Sequence, residues 1–116
     1  MNLDDYIDIA MEKDASDVHL IAGNKPMLRI MRDLIPIEDA DILTPEDMNE
    51  IYDQLIMGNL DKDEVFNTTR KLDMSYTHKD IRLRVNISLS DNVPLCTMRL
   101  IKNEFPSYES LGVPDI

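Results

Sequence analysis

Residues Ile81 to Leu89 alternate apolar and polar side chains without a break. Such alternation is the mark of a half-buried β-strand. Ile81, Leu83, Val85, Ile87 and Leu89 can enter a core, while Arg82, Arg84, Asn86 and Ser88 share the opposite face. Asp91-Asn92 follows as a two-residue turn, both residue types tolerating positive φ, and Leu95 to Ile101 forms a second β-like run. That loop pairs Leu83 with Leu100, Val85 with Met98 and Ile87 with Cys96 on the buried face, and on the other face it sets Arg84 directly opposite Arg99. Like charges opposed across a ladder cost a few tenths of a kcal/mol. Such a pair is kept where an anion binds, or else the arginines splay into solvent. Pro94, just past the turn, is the point where this register can shift or bulge.

The chain of 116 residues, 43% hydrophobic and 30% charged, suffices for one core and is too short for two. Its net charge of -11 disfavours nucleic acid and anionic membrane surfaces as partners. A single cysteine makes no internal disulfide, and neither a leader segment nor an apolar run long enough to span a bilayer is present, so the sequence reads as cytoplasmic and reduced. Eight methionines and no tryptophan suggest an adaptable aliphatic core. Met48, Met57, Met74 and Met98 are read as core filler.

Leu3, Tyr6, Ile7 and Ala10 recur at helical spacing behind the N-cap candidate Asn2, predicting a helix over 3–13. Period-two segments predict strands over 15–21, 27–31 and 34–37, a small meander whose second turn lies around Arg32-Asp33. Thr44-Pro45-Glu46-Asp47 is close to a capping box with proline at the first helical position, and Met48, Ile51, Tyr52, Leu55 and Ile56 fall on one stripe. A helix over 45–57 follows, stopped by Gly58 and Asn59. A shorter helix is expected from Asp61 to about Thr69, then a strand over 72–77 that turns through His78-Lys79-Asp80 into the alternating strand. The order of elements is α+β: helices packed on a largely antiparallel sheet of about six strands.

Ala15-Ser16-Asp17-Val18-His19-Leu20, a glycine turn with Pro26-Met27 and Arg29, Asp73-Met74-Ser75, Arg82-Leu83-Arg84-Val85-Asn86, Met98-Arg99 and Leu111-Gly112 together resemble the N-terminal, PAS-like domain of PilT-like type IV pilus retraction ATPases, a branch of the secretion ATPase superfamily. The first of these motifs resembles the superfamily at large. Arg-x-Arg-Val-Asn, and the first motif's position about a dozen residues from the start, point to the retraction branch. Under this resemblance, residues 1–102 are the PAS-like domain and 103–116 begin a linker to a motor domain. Two departures stand out: the turn at Met31-Arg32-Asp33 lacks the family's glycine, and the stretch between Arg99 and Pro106 is longer than usual, which bears on how Arg99 is aimed.

The resemblance implies a cytoplasmic homo-hexameric motor at the inner face of the cell membrane, working in twitching motility on ATP and Mg, with an inner-membrane pilus platform protein as partner. It implies that Arg84 and Arg99, with Arg82 as the adjacent member of the motif, reach nucleotide bound by the neighbouring subunit's motor domain. A guanidinium suits that task, being permanently charged and offering a planar fork of donors to phosphate oxygens. On composition alone, ordinary surface arginines would be the commoner explanation. Gly23, Gly58 and Gly112 are the only glycines and none sits in a P-loop setting, so this segment cannot hydrolyse ATP by itself. Asp17 and His19 share a strand face without a third ligand or a triad partner at a fitting spacing, which favours hydrogen bonds holding the sheet to a neighbouring element over metal or acid–base chemistry. His78, placed in a turn, and the buried Cys96 read as structural. The rival readings are a free-standing PAS-like sensor or adaptor with a small ligand in its core, and the same domain from a pilus assembly or type II secretion ATPase.

Overall fold

The computed structural model describes residues 2–101; the expected linker and the Leu111-Gly112 motif lie outside them. Helix α1 spans Leu3–Glu12, strands β1 to β3 span Asp17–Leu20, Met27–Ile30 and Asp33–Pro36, α2 spans Pro45–Ile56, α3 Leu60–Thr69, and β4 to β6 span Lys71–His78, Ile81–Ser90 and Val93–Ile101. The strands form one fully antiparallel six-stranded sheet in the order β3-β2-β1-β6-β5-β4. Strands β1 and β6, the first and last described, are therefore neighbours at its centre. The α+β architecture is the expected one.

The Asp91-Asn92 turn has both residues at positive φ, the signature of a two-residue type I′ loop. It sets Arg84 opposite Arg99, with Leu83, Val85 and Ile87 facing Leu100, Met98 and Cys96. Pro94 pairs with Leu89 and causes no bulge. Next to the closing pair Ser90–Val93 comes a non-hydrogen-bonded pair, so the missing N–H faces away from β5. On its other side β1 pairs only as far as Cys96, and no ladder bond is forfeited.

The three helices of the described residues cover one face of the sheet. Leu3, Tyr6, Ile7 and Ala10 of α1, Met48, Ile51, Leu55 and Ile56 of α2, and Phe66 of α3 join Val18, Leu20, Leu28, Leu83, Val85, Ile87 and Met98 in one core. Capping boxes start α1 and α2: Asn2 and Asp5, then Thr44 and Asp47, exchange side-chain and backbone hydrogen bonds. Each cap is worth about 1 kcal/mol.

Four local expectations need correction. Met57 and Gly58 supply the left-handed turn after α2, and Met57 is exposed rather than core, because its backbone turns the side chain away from the sheet. Asn59 starts a helix instead of ending one: its side chain accepts from the Lys62 N–H and caps α3. β3 begins at Asp33, leaving a two-residue Met31-Arg32 loop with positive φ at Met31 alone. His78 closes β4, since Lys79 and Asp80 form the two-residue turn, and it points to the helix face. There its Nε2 lies 2.8 Å from Oδ1 of Asp8 and its Nδ1 3.5 Å from Asp4. Tyr76, two residues earlier, donates to Asp4 at 2.9 Å and accepts from Gln54 at 3.2 Å. The edge strand is thus tied to α1 and α2 by polar contacts around the apolar core.

Candidate functional site

Period two leaves the sheet's other face to the polar residues. Here the register lines up Ser75, Arg84, Arg99, Asp17 and Arg29 across five consecutive strands. The neighbouring row carries Asp73, Asn86, Thr97 and His19. Arg82 stands one step away on β5, opposite Ile101. Arg29, Arg82, Arg84 and Arg99, with Lys71 near the start of β4, place five of the chain's twelve basic residues on this face of an otherwise strongly acidic protein. An open hollow of about 350 Å³ lies among them, lined by Asp17, Asp73, Arg84, Asn86, Thr97 and Arg99. A second one, reached by Arg82, shares Arg84 and Asp73 with it.

The two opposed arginines differ in their partners. Arg84 makes no hydrogen bond or ion pair with the described residues. Arg99 donates from Nε to Oδ1 of Asp17 at 3.2 Å while its side chain stays 74% exposed. Asp17 is 9% exposed in its side chain; its Oδ2 accepts from the Ser16 hydroxyl at 2.9 Å and lies 3.8 Å from Nε of Arg29. A buried carboxylate is tolerated when charge and hydrogen bonds surround it, as they do here. The Arg84–Arg99 repulsion is thereby eased from one side: Arg99 carries a counter-ion and Arg84 is left as the unbalanced charge.

Asp17 does its bonding within the sheet, linking β1 to β6 and reaching toward β2. His19 lies beside Thr97, and its Nε2 is buried with no hydrogen-bond partner among the described residues. Asn86 donates to Asp73 at 2.6 Å, which quiets the one acid on β4 that faces the hollow. No group of His, Cys, Asp and Glu side chains among the described residues could hold a metal ion.

Ser16 and Arg29 were not among the candidate residues read from the sequence. The β1–β2 register depends on the longer loop through Gly23, which carries no two-residue turn signature, so Arg29 could not be set against Asp17 in advance. Cys96 is 1% exposed, and burial pushes its thiol pKa up to about 12. Such a thiol is inert.

No protein-family profile and no curated protein matches the chain. Among solved structures, the pilus retraction motor PilT with bound ADP superposes with a TM-score of 0.81 at 27% identity, covering 99% of this chain and 33% of PilT. The ATPase DotB of Legionella pneumophila gives 0.72 at 19% identity, with 97% of this chain and 32% of that one covered. DotB of Yersinia pseudotuberculosis gives 0.72 at 16% identity, covering 96% and 32%. The chain spans about a third of the length of these proteins. Over nearly all of its length it has the fold of the N-terminal domain of PilT-like secretion ATPases.

Proposed function

We propose that this chain is the N-terminal domain of a hexameric pilus retraction ATPase, and that its open sheet face packs on the motor domain of the adjacent subunit and delivers Arg84 and Arg99 to the nucleotide there. Arg82 stands by at the rim. Residues 1–102 form the domain and 103–116 lead toward the motor, which holds ATP and Mg. The machine works in the cytoplasm against a platform protein in the inner membrane; no helix among the described residues is long and apolar enough to cross a membrane.

One observation carries this reading. On the sheet face that carries none of the described helices, a guanidinium with no partner among the described residues sits opposite a second one whose terminal Nη groups make no hydrogen bond to them. Phosphoryl transfer spreads negative charge over the γ-phosphate oxygens, and its catalysts are positioned cations rather than covalent groups. Two arginines held on a rigid sheet can meet that charge when the neighbouring domain swings against them, so that nucleotide state is converted into a rigid-body movement.

The rival reading, a free-standing sensor, is separated by a thermal-shift measurement on this chain. With half of the nucleotide site on another domain, millimolar ATP is expected to leave the melting temperature unchanged. Ligand binding to the native state alone would raise it by mass action, and a shift of several degrees would favour the sensor.

A further inference from the structure

We propose that Asp17 is a positioning residue for Arg99, holding that guanidinium by one edge so that its Nη fork stands ready for phosphate before any nucleotide arrives. The proposal rests on the reading above, in which Arg99 reaches the neighbouring subunit's nucleotide. Asp17 contacts Nε and leaves both Nη groups, which carry all but one of the guanidinium's N–H donors. The grip is therefore compatible with simultaneous phosphate binding. A lysine could not do both, having a single point of charge.

The carboxylate itself is well anchored. It rises from β1, a central strand, at the register position of Arg99; it is nearly buried; and Ser16 and Arg29 engage its second oxygen. An arginine has several torsions to freeze on binding, and one already held at Nε has less freedom left to lose when the phosphate docks. Asp17 also neutralises Arg99, which lets Arg84 occupy the opposite position at reduced electrostatic cost. Arg84, with no partner among the described residues, is the member of the pair that the nucleotide itself must order.

The test is a double-mutant cycle in the full-length, motor-bearing protein, comparing Asp17→Asn, Arg99→Ala and the combination. Asp17→Asn is expected to lower kcat about tenfold with little change in KM for ATP, and the double variant is expected to turn over no more slowly than Arg99→Ala alone. In the 116-residue chain, the Arg99 Nε–H resonance is expected to be shifted and protected from exchange, and to lose both properties in Asp17→Asn. Should that variant not fold, Ser16→Ala loosens the same carboxylate more gently and is expected to lower kcat in the same direction, with no further effect in the Arg99→Ala background. Wild-type turnover in Asp17→Asn beside a slow Arg99→Ala overturns the positioning role, as does a full, additive loss in the double variant. Wild-type turnover in Arg99→Ala instead removes the trans-acting reading on which the proposal stands.

Discussion

Arg84 and Arg99 face each other across the β5–β6 ladder, yet among the described residues only Arg99 has a counter-ion, Asp17, at 3.2 Å. The asymmetry makes a stability prediction for the isolated chain. Arg99→Ala strands a nearly buried carboxylate and is expected to cost about 1–2 kcal/mol, whereas Arg84→Ala relieves a like-charge contact and is expected to be neutral or stabilising by a few tenths of a kcal/mol. Urea denaturation of the two variants checks this. Equal losses in both would mean that Asp17 draws its compensation from elsewhere.

Acid stability is expected to depend on Asp8. The hydrogen bond from His78, with help from Lys79, holds its carboxyl below the ordinary carboxylate value. A group whose folded pKa is depressed contributes stability that is present above its unfolded pKa and is lost as pH falls through the folded pKa. The contribution should therefore disappear below about pH 4. Asp8→Asn is expected to flatten that limb of the stability–pH curve and to leave the neutral region less stable. An unchanged acid limb would show that the His78 contact carries no linkage.

The Cys96 thiol is expected to resist disulfide-exchange reagents in the native protein and to react stoichiometrically once denaturant exposes it. Burial without a nearby cation both blocks access and suppresses the thiolate. Labelling of the folded protein within minutes at neutral pH would require an opening of the β1–β6–β5 layer.

The Met31-Arg32 loop places a side-chain-bearing residue at φ 60°, where glycine is unstrained. Met31 is 90% exposed, so the change to glycine removes almost no packing. Met31→Gly is accordingly expected to raise stability by up to about 1 kcal/mol, seen as a higher melting temperature. A loss of stability would mean that the unfolded chain's added freedom outweighs the strain.

The last hairpin was legible from the sequence because three signals coincide there: unbroken alternation, a two-residue turn chemistry and three matching apolar pairs. Arg84, Arg99 and the buried Cys96 follow from it directly. The helix over 45–56 was equally open to reading, its capping box and proline marking one end. Asn59 misled because the same residue type ends helices and starts them, and two helices separated by so few residues share one boundary. His78 misled because its strand carries polar groups toward the helices, where Asp4, Asp8 and Gln54 satisfy them; period two alone assigns no such face. The Asp17–Arg99 pair spans most of the chain, and only the central β1–β6 pairing brings it together. The sequence held no local sign of that contact.

The central claim is that the arginines act across a subunit boundary, and a mixing experiment tests it most directly. In the full-length protein, Arg84→Ala and Arg99→Ala are each expected to fold, bind nucleotide and lose about tenfold or more in ATPase turnover, with lysine a poor substitute. Either variant is then co-assembled with a subunit whose P-loop is inactivated but whose arginines are intact. The account predicts recovered ATPase activity in the mixed hexamers, since each arginine variant now has a neighbour that supplies what it lacks. Activity no greater than the sum of the separate populations, in assemblies shown to contain both subunit types, would contradict it.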